Sequence, residues 1–138
     1  MRKTRFYKEL KSYLSENHPE LCDDESFISN RSELAQLTFI DSSQNGSSYE
    51  DSIHEAYTVL YDGLHFSSYQ LLQDIAEEEF SEYYDIVEKN KASLYTELLP
   101  IIKEFNPGDD FERSSRYETL YSCIVGFIQE KIENNGIQ

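Results

Sequence analysis

Two pairs in this chain place a carboxylate three residues before an imidazole, Asp51-x-x-His54 and Asp62-x-x-His65. Residues i and i+3 project from one face of a helix, which is how helical di-metal proteins present mixed carboxylate and histidine ligands. The pattern is incomplete, however. His54-Glu55 lacks the second histidine of a zinc-protease motif, Asp62 and His65 straddle an expected helix end, and a di-iron site draws glutamates from several helices. Polar surface contacts, or a satisfied and partly buried His65, are the plainer reading, and no cofactor or metal ligand is assigned. A metal-dependent or hydrolytic enzyme with a site near His54 and His65 is the alternative function.

Nucleophilic catalysis needs a Ser or Cys beside a His and an orienting acid, usually on a strained turn. No GxSxG motif occurs. Cys22 follows His18 closely, but the next residues are Asp23, Asp24 and Glu25, and negative neighbours oppose an activated thiolate. Cys123, among Tyr121, Ile124 and Phe127, reads as a buried core thiol. Two cysteines near opposite ends, without CxxC spacing, suit free thiols in a reducing cytoplasm, with a Cys22–Cys123 bridge as the open alternative. The five glycines never form a phosphate-cradling loop.

Charge carries more information. The 138 residues hold 27 acidic and 12 basic side chains, for a net charge of -15, which excludes a nucleic-acid clamp built on a global basic field. Residues 1–16 carry five basic and two acidic groups, whereas residues 17–88 carry one basic and seventeen acidic. The densest acidic face, Glu77, Glu78, Glu79 and Glu82 with Tyr83 and Tyr84, is the candidate interaction surface. It could occupy a basic groove on a DNA-binding protein by imitating a phosphate backbone; the plainer reading is a face that keeps the protein soluble. Tyr95 belongs with Tyr83 and Tyr84 as a candidate partner-facing patch, with simple burial of the rings and the hydroxyls reaching water as the plainer reading. The basic residues Arg2, Lys3, Arg5, Lys8 and Lys11 could dock on the acidic half of a second copy and make a homodimer. Membrane attachment through them is disfavoured, because anionic lipid would repel the rest of the molecule.

The elements that must position these groups are helical. Phe6, Leu10, Tyr13 and Leu14 recur at helical spacing over residues 3–16, and Pro19 stops that helix. Asp23-Asp24-Glu25 opens a second, whose apolar positions Phe27, Ile28, Leu34, Ala35, Leu37 and Thr38 run to about Asp41. Residues 41–48, rich in Ser with Asn45-Gly46, read as a flexible loop. A third helix carries Ile53, Ala56, Tyr57, Leu60 and Tyr61 and ends at Gly63 with Leu64 as its hydrophobic contact. Ser67 and Gln70 then form a capping box, with Phe66 and Leu71 as a hydrophobic staple, so a fourth helix starts there. Gly63, Leu64, His65, Phe66, Ser67 and Gln70 are therefore the structurally critical corner.

The fourth helix continues through Leu72, Ile75, Ala76 and Phe80, with a poorly marked break over residues 84–91. A fifth carries Leu94, Leu98, Ile101, Ile102 and Phe105 around Pro100. After the turn at Asn106-Pro107-Gly108-Asp109, Ser115 with Glu118 offers a second capping box. The last helix repeats Tyr117, Leu120, Tyr121, Ile124, Phe127, Ile128 and Ile132 and ends at Asn135-Gly136-Ile137. No segment alternates with period two. The expected architecture is one all-α domain over residues 1–138, a globule or bundle of about six amphipathic helices. The opening Met1-Arg2-Lys3-Thr4-Arg5 resembles the start of a secretory signal, but Lys8, Glu9, Lys11 and Glu16 interrupt the stretch where an apolar run would have to stand. The densest apolar run, residues 98–102, is far short of the roughly 20 residues that cross a bilayer. A cytoplasmic protein is expected.

The run from Ala56 to Tyr69, most specifically Gly63-Leu64-His65-Phe66-Ser67, resembles an uncharacterised family of hypothetical bacterial proteins, a domain of unknown function. His18-Pro19-Glu20-Leu21 and Gly136-Ile137-Gln138 extend the likeness to nearly the whole chain. The resemblance implies an all-helical bacterial protein and supplies no activity or functional residue. On these grounds the expected function is a non-enzymatic one exercised through protein contacts.

Overall fold

A computed structural model describes residues 4–134. Among the described residues the chain forms seven α-helices and three short 3-10 turns, with no strand. The protein is all-α, as the 3.6-residue apolar period requires. Contacts divide it into two compact units, Met1–His65 and Phe66–Gln138.

The first unit contains α1 (Arg5–Asn17), α2 (Glu25–Gln44) and α3 (Tyr49–Leu60). Each starts at a side-chain cap that satisfies an otherwise orphaned N–H. Thr4 accepts from Tyr7, Asp24 from Phe27 and Ser48 from Asp51. Pro19 ends α1 by opening a 3-10 turn, Pro19–Leu21. Phe6, Tyr7, Leu10 and Leu14 of α1 share a core with Ile28 and Ala35 of α2 and with Ala56 and Leu60 of α3.

Two expectations fail in this unit. The loop predicted over residues 41–48 is shorter, because α2 runs on to Gln44. Ser42 is buried there and its hydroxyl meets that of buried Ser52 at 3.2 Å, a contact that rewards continuing the helix. Leu34 and Leu37, predicted on the buried face of α2, are 53% and 55% exposed. The face that packs is instead lined by Ile28, Ser32, Ala35 and Ser42. Mostly small, these residues let α2 approach the Ser52 and Ala56 side of α3 closely.

The second unit contains α4 (Ser68–Glu79), α5 (Tyr84–Lys89), α6 (Lys91–Phe105) and α7 (Arg116–Glu133). Ser67 accepts the Gln70 N–H at 2.9 Å, and Phe66 and Leu71 are both buried, as cap and staple require. Leu72, Ile75, Leu94, Leu98, Leu120, Ile124 and Ile128 are wholly buried. Phe66, Phe111 and Tyr117 form an aromatic corner, with Phe66 and Phe111 centroids 5.1 Å apart. Asn106 closes α6 in the left-handed region at φ 46°, which asparagine tolerates. Pro100 lies inside α6 on its exposed side.

Here too the structure corrects the sequence reading. The break expected over residues 84–91 comes earlier: α4 ends at Glu79, Ser81–Tyr83 form a 3-10 turn and Tyr84–Lys89 are the short α5, which gives one helix more than expected. Ser115 is not a capping box partner of Glu118. Its backbone is already helical (φ -66°, ψ -16°) and its side chain makes no cap bond, whereas extended Ser114 turns its hydroxyl back to Phe111 O at 2.8 Å. Cys123 is exposed rather than in the core, because α7 buries the Leu120, Ile124 and Ile128 stripe instead. Tyr95 is buried against Tyr69, ring centroids 5.0 Å apart, so it cannot join a surface patch. Arg2, Lys3 and the expected Asn135-Gly136-Ile137 cap lie outside the described residues.

Candidate functional site

The carboxylate and histidine pairs do not assemble into a centre. Asp51, His54, Asp62 and His65 are all exposed. Among the described residues no three His, Cys, Asp or Glu side chains come together as metal ligands would. Cys22 is half-buried and Cys123 exposed, and both are free thiols. His18, by contrast, is buried, and its Nε2 lies 2.8 Å from Leu64 O.

The predicted corner falls on the boundary between the two units. In the first, Gly63 takes φ 78°, a conformation that favours glycine, and Leu64 is buried. In the second, Phe66 is buried and Ser67 caps α4, while the Gln70 side-chain amide donates to Asp74 at 3.2 Å.

The acidic surface of the second unit has shape as well as charge. Past the end of α4 the 3-10 turn brings the chain round, and Glu77, Ser81, Glu82, Tyr84 and Asp85 line an open concavity of about 530 Å³. Three of the six predicted surface residues, Glu77, Glu82 and Tyr84, are therefore brought together. Glu78, Glu79 and Tyr83 are exposed but do not line it. Glu78 instead accepts from the Tyr121 hydroxyl at 3.0 Å. The sequence reading missed Ser81 and Asp85, because α4 ends at Glu79 and it is the 3-10 turn after it that brings them beside Glu77.

Electrostatics in this region favour positive ligands. The Tyr84 phenol pKa is raised by burial and by the charges of Glu88 and Glu77, with Lys91 opposing. Burial, the hydrogen bond to Glu78 and the charge of Glu79 push Tyr121 up to about 12. Both phenols stay protonated at neutral pH and can donate hydrogen bonds. Lys91 is already occupied. Its ammonium donates to Gln73 Oε1 at 2.6 Å, pairs with Glu88 at 3.4 Å and sits 4.4 Å from the Tyr69 ring centroid.

A family model described as a domain of unknown function, DUF1896, matches residues 3–137. The chain belongs to this family. This DUF1896 chain is also similar to a solved structure, the crystal structure of protein PG0816 from Porphyromonas gingivalis. The two share 33% identity at a TM-score of 0.83, over 94% of this chain and 90% of that one. No functionally curated protein matches. Among the described residues of this DUF1896 member, no helix is long and apolar enough to cross a membrane.

Proposed function

We propose that the protein acts without catalysis, in the cytoplasm, by presenting the acidic face of its second unit to a basic surface on a partner protein. The observation that carries this reading is the convergence of Glu77, Glu82 and Asp85 on one concavity beside the Tyr84 phenol. Three carboxylates accept hydrogen bonds from Lys or Arg, and a phenol ring beside them offers a face to a cation. Spaced carboxylates of this kind can stand in for phosphates, so the partners that fit include DNA-binding proteins with a basic groove.

The test is a pull-down at two ionic strengths with the parent chain and with a Glu77→Gln/Glu82→Gln/Asp85→Asn variant. Basic proteins retained by the parent at low salt, released at high salt and not retained by the variant are the expected result. Equal capture by parent and variant, or capture that salt does not weaken, overturns the reading.

A further inference from the structure

Every large aliphatic side chain that is exposed among the described residues lies on one helix. Leu34, Leu37 and Ile40 of α2 are 53%, 55% and 40% exposed. Scattered single exposures are normal on a protein surface, but three in a row at i, i+3 and i+6 make a continuous stripe. They stand on the side of α2 away from buried Ile28, Ser32, Ala35 and Ser42.

The stripe is flanked by charge of one sign. Glu33 and Asp41, both exposed, stand one turn before and one turn after Leu37 on the same face. Neither forms an ion pair with any described residue. Between Ser32 and Glu88 the sequence holds thirteen acidic residues and no Lys or Arg. That arrangement disfavours a second copy as the occupant. Pairing α2 with itself in antiparallel fashion about Leu37 sets Glu33 of one copy against Asp41 of the other, and like charges repel.

We infer that this face of α2 docks an amphipathic helix of another protein, one with apolar anchors at i, i+3 or i+4, and i+7 and with Lys or Arg on the flanks. The apolar anchors cover the Leu34, Leu37 and Ile40 stripe, while the basic flanks meet Glu33 and Asp41. This surface lies in the first unit and is independent of the acidic concavity in the second.

Fluorescence anisotropy of a labelled peptide of about 14 residues, four helical turns, tests it on the full chain. The probe is an amphipathic Leu/Lys peptide, compared with a Leu/Glu peptide of the same pattern. The Leu/Lys peptide is expected to bind about tenfold or more tightly than its Leu/Glu counterpart. Leu34→Ser/Leu37→Ser is expected to weaken it by about tenfold or more. Glu33→Gln/Asp41→Asn should weaken it at low salt only, and Glu82→Gln/Asp85→Asn should weaken it less than Leu34→Ser/Leu37→Ser does. Both leucines are exposed, so circular dichroism of the serine variant should match the parent. Retained binding by that variant overturns the inference, as does loss only with Glu82→Gln/Asp85→Asn. A dimer in sedimentation that Leu37→Ser dissociates also overturns it, because the occupant is then a second copy.

Discussion

His18 Nε2 lies 2.8 Å from the carbonyl oxygen of Leu64, 46 residues further along the chain. A carbonyl only accepts, so Nε2 carries the hydrogen. The Tyr13 hydroxyl donates to the same oxygen at 2.8 Å. These two bonds tie the end of α1 to the segment after α3. His18→Ala is expected to cost about 2 kcal/mol and Tyr13→Phe about 1 kcal/mol. The double variant should lose more than the two together, because it strips both side-chain donors from a carbonyl on a buried residue. Urea denaturation of the four proteins measures the coupling, and strict additivity would refute it.

Arg31 performs a related task at the end of α3. Its Nη1 reaches the carbonyls of Val59 and Leu60 at 3.3 Å and of Asp62 at 2.7 Å, and its guanidinium lies 5.0 Å from the Phe27 ring centroid. A cation at a helix C-terminus satisfies orphaned carbonyls and complements the dipole. Arg31→Ala should lower stability by about 1–2 kcal/mol, and Arg31→Lys should recover part of it. Thermal melts of the three proteins decide this; an Ala variant as stable as the parent contradicts it.

The two serines offered as caps by the sequence should separate cleanly. Ser67→Ala removes a bond to the Gln70 N–H and should cost about 1 kcal/mol. Ser115→Ala removes no cap bond and should change stability by less than about 0.5 kcal/mol. Gly63→Ala meets no neighbour within 4 Å, yet its φ of 78° should make it destabilising by about 1 kcal/mol. Chemical denaturation of all three ranks them, and a Ser115→Ala loss equal to that of Ser67→Ala would be inconsistent with the observed geometry.

Alkaline pH should unfold the protein early. Burial comes first among the influences that raise the phenol pKa of Tyr84, Tyr117 and Tyr121, and acidic neighbours add to it. The unfolded value is about 10, so between that and the raised folded value the native state holds more protons than the unfolded state. Stability from these groups is therefore complete below pH about 10 and declines as pH rises through that value toward about 12, the pKa of Tyr121. Denaturation midpoints should hold up to about pH 10 and then fall steadily to about pH 11.5. Glu78→Gln should lower the Tyr121 pKa toward its ordinary value in a phenolate absorbance titration; an unchanged value argues against the Glu78 contribution.

Thiol reactivity tracks exposure. Cys123 is exposed and Cys22 half-buried beside α1 and α2. An aromatic disulfide reagent should modify Cys123 first in the native protein, and Cys123→Ser should remove the fast phase. Survival of that phase in the variant would assign it to Cys22.

Helices, caps and stops were legible in the sequence because they are set over a few residues. Pro19, the acidic run at Asp24, Ser67 and the Asn106 turn each act through neighbours within one turn. α7 shows the same for burial, where Leu120, Ile124 and Ile128 repeat on a single stripe with one way to pack. Packing decided what local pattern left open. Apolar residues surround much of α2, and its small face went inward against α3 while Leu34 and Leu37 stayed in solvent. Likewise only the 3-10 turn after α4 brings Ser81 and Asp85 beside Glu77. Amino-acid order by itself determined that this chain forms helices and where most of them start, since those preferences are local. Which faces are covered, and which carboxylates share a hollow, depends on contacts between residues far apart in sequence, and those exist only once the helices have packed.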